Sequence, residues 1–470
     1  MKHLLAFLSF CFILVSVFSC EPAEEQLTHQ PKVSLAFSAD TVLFDTVFVK
    51  TGSVTKRLLV YNNNKNAVEI DEIKLGKLDA SAYRIIINGL ETPRAQNIRI
   101  RGGDSLYVLV KVFIQPNSNN APFLVQDSVT FSLNQTVQDV KLVAYGQNAY
   151  FHRKEELTGN TIWPADKAHV IYDHITVKAG GTLTLAKGAR IYANRGAYIY
   201  VDGTLVVDGT AEERVTFAGH RLEADYKDTP GLWGGIRFRA GSKGNIIRYA
   251  DIKNAEVGIE AENPDQDPAT YDIRLEQCTI QNMLRAGILS FSADVQVINT
   301  LISNCGEYAV AGLGGGTYEF IYCTLANYTP DFRRNTPAFF FTDRHLGATG
   351  QNTDYRIKIN MLNSIIWSGK RNGSLPEEIG FRSEAGLPLD TVFQHNILQT
   401  QAYQKQLNKS NFFNEDPKFK HSVPPFDFSL DTLSVANGVA RPLPGINFDL
   451  KKVARDVAKP DIGAYERIRP

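Results

Sequence analysis

From about residue 33 onward, hydrophobic positions recur at every second residue in short runs broken by Gly, Asn, Asp and Pro, which is the pattern of half-buried strands. Leu106, Val108, Val110, Val112 and Ile114 show it most clearly, alternating with partly polar neighbours. About seven such runs fill residues 33–146, and Asn62-Asn63-Asn64 marks a turn between two of them. No helical period interrupts them. Short strands punctuated by turns predict a β-sandwich over residues 33–147.

Beyond residue 147 the pattern repeats itself. Gly181-Thr182-Leu183 returns 22 residues later as Gly203-Thr204-Leu205, each time leading into a β-rich run and another glycine. A looser form follows, in which Asn254, Asn282, Asn304 and Asn327 each close one of four superposable pentapeptides, at separations of 28, 22 and 23 residues. A period near 22 with short strands predicts a coil of three strands and three turns that buries its apolar side chains only by stacking on its neighbours. The four asparagines are expected to form a ladder, each amide bonding the next at a bend. The predicted solenoid covers residues 148–413, and residues 414–470 close it.

The chain has 470 residues, 43% of them hydrophobic, which is ample for a large core. Fifty basic residues balance fifty acidic ones, so there is no basic field for nucleic acid or an anionic membrane surface. The first 20 residues read as a signal peptide, with Lys2 before an apolar run over residues 4–18 that is too short to span a bilayer. Residues 21–32 form a linker. Cys278, Cys305 and Cys323 lie in apolar, strand-like contexts; Cys278 and Cys323 occupy equivalent repeat positions about 10 Å apart, too far to bond. They read as small buried hydrophobes, and no spacing suggests zinc.

Several stretches resemble known families. Val17-Phe18-Ser19-Cys20 resembles the lipobox of bacterial lipoproteins, which implies a lipid on Cys20 and a membrane partner through it. Glu21, Glu24 and Glu25 resemble the export signal of Bacteroidota surface lipoproteins. Val60-Tyr61-Asn62 and the strand from Val112 to Pro116 resemble the immunoglobulin-like modules of bacterial envelope proteins. The run from Gly180 to Gly219, with Leu232-Trp233-Gly234-Gly235 and the ending Pro460-Asp461-Ile462-Gly463-Ala464-Tyr465-Glu466, resembles right-handed parallel β-helix proteins. The implied protein is all-β: an immunoglobulin-like sandwich followed by that solenoid, a monomer on the outer membrane, periplasmic or surface-exposed. Six Asp-Ser/Thr-aliphatic triplets, such as Asp40-Thr41-Val42 and Asp127-Ser128-Val129, resemble an O-glycosylation sequon and read equally as turns into strands.

The β-helix carries many chemistries, so function is sought in the loops that interrupt the period. One runs over residues 261–271, the other over residues 327–355. A lyase acting on acidic polysaccharide needs Ca²⁺ on carboxylates and a basic residue to take a proton, with both loops on one side of the rod. Asp265, Asp267 and Asp272 are the weak metal candidates, and Arg333, Arg334 or Arg344 the base or anion clamp. Asp331, Asp343 and His345 complete the ligand-loop candidates. The polygalacturonase pattern finds only its ends, Asn263-Pro264-Asp265 and Arg356-Ile357-Lys358, and lacks its Asp-Asp and Gly-His-Gly centre. Tyr318, Phe320, Tyr322, Tyr328 and residues 339–341 offer rings to sugars or fill the core. The expectation is a non-catalytic binding or surface-architecture protein directed at glycans and needing no cofactor. The alternative is a polysaccharide lyase or glycoside hydrolase, with Ca²⁺ only for the lyase.

Overall fold

The computed structural model describes residues 26–28, 33–265, 267, 269–328, 334–347, 350–370 and 373–468. Cys20, Asp331 and Arg333 lie outside the described residues. The chain divides into two compact units, Met1–Gln147 and Asn148–Pro470. Among the described residues the only helical elements are two 3-10 turns, Leu78–Ala80 and Ala224–Tyr226.

The first unit holds two five-stranded sheets. In Ser105–Val112 the alternation read from the sequence is realised: Val108 and Val110 are buried while Tyr107 is exposed, and Val108 pairs with Leu58 on the antiparallel strand Lys56–Tyr61. Phe37 of one sheet lies 5.0 Å from Phe131 of the other, and Phe44 lies 5.9 Å from Tyr83, so the inner faces meet in a shared core. The strand Thr136–Gln147 runs parallel to Thr41–Phe48, nearly the whole unit away in sequence. Asn62 is fully buried and its amide donates to the carbonyls of Asn66, Ile100 and Arg101, so this asparagine anchors its turn. Asp104 and Asp127 each accept from the backbone N–H of the serine that follows, at 2.7 and 2.8 Å, which is how an aspartate starts a strand.

The second unit winds three ladders of parallel strands around one core. The first face is a nine-stranded sheet from Asn160–Trp163 to Leu389–Gln394. The second and third faces interleave in an eighteen-stranded sheet. The second includes Arg190–Ala193 and Thr324–Ala326, and the third includes Tyr198–Val201, Val257–Glu262 and Phe339–Thr342. The two copies of the opening repeat stack in register, Thr182 on Thr204 and Leu183 on Leu205. Val207, Ile247, Leu275, Val297, Phe320, Met361 and Phe393 continue one inward column, each paired with the next. Each coil thus covers the apolar floor of its neighbour.

Two kinds of corner explain the polar residues inside this repeat. Between the first and second faces the chain turns through a residue in the left-handed region: Tyr249, Gln277, Asn299, Tyr322, Asn363 and His395 have φ between 46° and 58°. The next residue points inward, and where it is Thr300, Ser364 or Asn396 its side chain accepts from a neighbouring coil. Thr300 Oγ1 takes the N–H of Cys278 at 3.3 Å, Ser364 Oγ that of Cys323 at 3.0 Å, and Asn396 Oδ1 that of Ser364 at 2.7 Å. Cys278 and Cys323 therefore stand in this polar ladder as small buried members, and burial pushes the Cys278 thiol up to about 11.

Between the second and third faces stand Asn254, Asn282, Asn304 and Asn327, in equivalent positions because their strands pair in sequence. Their side chains do not bond one another as the predicted ladder required. Asn254 donates to the carbonyls of Lys227 and Thr229, Asn282 to Asp228, and Asn327 exchanges bonds with the backbone of Cys305. Asn304 Oδ1 is buried without a partner. What three of them share is the backbone, with φ of 65°, 59° and 56° at Asn254, Asn282 and Asn304. Asparagine tolerates this region better than other side chains. Asn304→Ala is therefore expected to cost about 1 kcal/mol and Asn304→Gly almost nothing, as read by thermal unfolding. A bonded ladder would make the two equally costly.

Residues 431–468 run back along the outside of the first corner and cover the flank of the coils. Phe448 O accepts from Gln277 and Asn299, and Arg441 O from Tyr322 and Asn363. Arg455 lies 3.8 Å over the Tyr322 ring, and Leu430 and Ile462 pack with Ala326, Ile365 and Trp367.

Candidate functional site

The third face presents a continuous outer column whose register is explicit. Tyr200 pairs with Arg237, Arg237 with Glu260, Glu260 with Leu289, Leu289 with Ala311, Ala311 with Phe340, and Phe340 with Gly380. Their neighbours Ile236, Ile259, Ile288 and Val310 point into the core, so alternation turns the column outward. Insertions border the strip on both edges: residues 220–234 before the third face, and residues 263–272 with the hairpin Arg344–Leu346 and Asn352–Asp354 after it.

At one end the Tyr198 ring lies down over Gly234, where an added Cβ would come within 2.3 Å of ring carbons. Gly235 (φ +130°) leaves no room either, since a Cβ there would sit 1.8 Å from Val257 O. Gly234 is thus the slot for the ring, and Gly235 lets the backbone of the next coil approach. Tyr198 stacks on Tyr200 at 5.4 Å and donates to Glu256 at 3.2 Å; burial and that carboxylate push its hydroxyl up to about 12. At the other end Phe340 lies over Gly380, stacks on Tyr308 at 5.6 Å and sits under Arg382. Five coil steps separate Tyr200 from Phe340, or about 24 Å at the usual strand spacing.

Between the platforms the floor changes from charged to apolar. Arg237 pairs with Glu260 at 3.1 Å, and Arg285 reaches both Glu256 and Glu307. Burial raises the Glu260 carboxyl above its ordinary value, against the pull of Arg237. Leu289 and Ala311 follow, covered by Phe291, Tyr308 and Leu313. An alternation of flat rings, aliphatic floor and paired hydrogen-bonding groups suits a ligand with apolar faces and polar edges.

The corner between the third and first faces gathers Asp265, Asp272 and Asp294, with carboxylate oxygens within 4.8 Å of one another. Asp272 was a predicted ligand, Asp294 was not, and Asp267 stands apart, capping Ala269 N–H at 3.2 Å. The local bonding accounts for the cluster. Asp272 accepts from Asn263 and from Asp294 N–H, Asp294 from Thr317 N–H, and Asp265 from Asp267 N–H with Lys243 as its ion pair. Asn245 does the same for Leu205 one coil earlier, at 2.8 Å. These side chains cap successive coils, and burial pushes Asp272 up to about 6. A Ca²⁺ site takes about six to eight oxygens. Three carboxylates already accepting from the backbone and an ammonium do not fit it.

The two predicted loops do meet on one side: Tyr355 OH donates to Pro264 O at 3.0 Å. Among the described residues, the predicted arginines and Asp343 are otherwise engaged. Arg334, expected as a base or anion clamp, is fully buried in an ion pair with Glu378 at 2.7 Å. Arg344 makes a bidentate pair with Asp354 across the hairpin, and Asp343 accepts from the backbone of residues 384, 385 and 387. His345 packs on Phe291 at 4.5 Å. Tyr318, Phe320, Tyr322, Phe339 and Phe341 are core residues; of these predicted rings only Phe340 belongs to the strip.

These coils form a solenoid of three parallel faces. The family model described as a right-handed β-helix region matches residues 145–325, and that stretch is a right-handed β-helix. No curated protein matches the chain. Among solved structures, a family 123 glycoside hydrolase from Clostridium perfringens, studied for glycolipid glycan hydrolysis, aligns with 26% of this chain and 30% of its own at 6% identity. The TM-score is 0.18, and a likeness of that depth carries no argument.

Proposed function

We propose that the protein is a bacterial envelope lipoprotein that binds an extended glycan along the third face of its β-helix without cleaving it. In this reading Cys20 carries the lipid, the first unit is an immunoglobulin-like spacer, and no cofactor takes part. The observation that carries it is a pair of ring platforms at the two ends of this face: Tyr198, which lies over Gly234 and stacks on Tyr200 of the outer column, and Phe340, which ends the column packed over Gly380. Ring stacking on sugar faces makes each platform worth about 1 kcal/mol or more. Tyr198→Ala and Phe340→Ala are each expected to weaken binding to a glycan array by about tenfold while leaving the melting temperature near that of the parent. Unchanged binding in both variants would remove the strip from the function. Shortened products in the same incubations would replace binding with hydrolysis, and Glu260 would be the first acid to substitute.

A further inference from the structure

Two properties of the strip narrow what it takes. The first is charge. Among the described residues each arginine of the strip is already held by a carboxylate: Arg237 by Glu260, Arg239 by Asp202 at 2.7 Å, Arg285 by Glu256 and Glu307, and Arg382 by Glu384 at 3.5 Å. Glu262 adds a further exposed acid, and the bordering corner gathers Asp265, Asp272 and Asp294, with Lys243 shared between Asp265 and Asp267. A uronate or sulfate would have to displace an arginine from its partner and then lie beside acids left uncompensated, so the face rejects polyanions.

The second is length. The platforms are five coil steps apart, and the groups between them repeat at one residue per coil, about 4.8 Å. An extended β-linked sugar chain advances by nearly the same distance per unit. A chain lying along the column therefore sets one sugar against each coil, with ring stacking at both ends, hydrogen bonds to Arg237 and Glu260, and an apolar floor made by Phe291, Tyr308 and Leu313, which close over the buried Leu289 and Ala311. A shorter chain reaches one platform only.

We infer that the strip recognises an uncharged, extended glycan, read over about six consecutive sugar units. This rests on the glycan-binding reading above. The test is calorimetry of the full-length protein with β-1,4-linked gluco-, manno- and xylo-oligosaccharides from disaccharide to octasaccharide, and with hexagalacturonate. The neutral series that binds should tighten by about tenfold or more between trimer and hexamer and level off beyond, with hexagalacturonate at least about tenfold weaker than the hexamer. Tyr198→Ala, and independently Phe340→Ala at the opposite end, should bring the hexamer down to the affinity of the trimer. A length-independent affinity, or hexagalacturonate binding as tightly as the neutral hexamer, would overturn this inference and leave glycan binding standing. No binding by any of the probes, neutral or acidic, would overturn the glycan reading and the inference together.

Discussion

Replacing Glu378 with alanine is expected to cost about 3 to 5 kcal/mol of folding stability, the largest effect of any single substitution proposed for the solenoid. Its side chain and that of Arg334 are both fully buried. The carboxylate accepts from Arg334 Nη2 at 2.7 Å, from Ala338 N–H at 2.7 Å, and from the Ser368 hydroxyl. Removing it leaves a guanidinium in a dry setting with its main counter-charge gone, and strands a backbone donor as well. Glu378→Gln keeps the acceptor and should cost less. Arg334→Leu with Glu378→Leu, which removes both charges, should recover much of the loss, since a buried pair is costly chiefly when it is half removed. Chemical unfolding of the three variants checks this ordering; a cost below about 1 kcal/mol for Glu378→Ala would mean that the pair is hydrated. The substitution should also reach the strip. Ala338 lies two residues before Phe340, and Glu378 two before the Gly380 on which that ring rests, so the pair holds both halves of one platform.

How much of this was legible in the sequence varies with the range of the contact. Alternation identified the strands, and the 22-residue return placed Leu183 on Leu205 correctly, because one coil neighbours the next and the period is local. The same period located Asn282 against Asn304 but assigned them the wrong reason: their register follows from the repeat, and their identity from a left-handed backbone that no spacing reveals. Asp294 lies 22 residues after Asp272, so the repeat already carried the signal for it; reading residues 261–271 as an isolated loop concealed that signal. The strip was harder to read. Insertions of unequal length separate Tyr200, Arg237 and Glu260, so their alignment emerges only once strands are paired. The Gly234-Gly235 doublet marks the fold, and a glycine pair inside a strand run also signals close approach of another group, without saying which one. Arg334 and Glu378 are 44 residues apart, and nothing near either one announces the other. In the first unit alternation could not say which sheet takes which strand, as the parallel pairing of Thr41–Phe48 with Thr136–Gln147 shows.

Asp343→Ala is expected to cost about 3 kcal/mol at neutral pH, because one carboxylate gathers a whole loop. Only 1% of Asp343 is exposed; Oδ1 accepts from the N–H groups of Glu384 at 2.6 Å and Ala385 at 3.0 Å, and Oδ2 from Leu387 N–H at 3.0 Å and the Ser383 hydroxyl at 2.8 Å. Burial by itself would raise the carboxyl. The bonds from Ala385, Glu384, Ser383 and Leu387 together outweigh it and hold the group at about 2, against 3.8 for an ordinary aspartate. A carboxyl depressed on folding stabilises the protein above its unfolded value, and that contribution is lost as pH falls through the folded one. The stabilisation, roughly 2 kcal/mol from this shift, should therefore be complete above about pH 5 and fade toward about pH 2. Urea unfolding of the parent and of Asp343→Ala should show a wide gap near pH 7 that narrows as pH falls toward about 2, whereas Asp343→Asn, which keeps an acceptor but no charge, should start with a smaller gap. A gap of constant width would mean that the loop is held by packing and that the charge is incidental. Because Asp343 opens the hairpin bordering the strip and its partners follow the strand that carries Arg382, the same variant should loosen that border and weaken glycan binding even where it still folds.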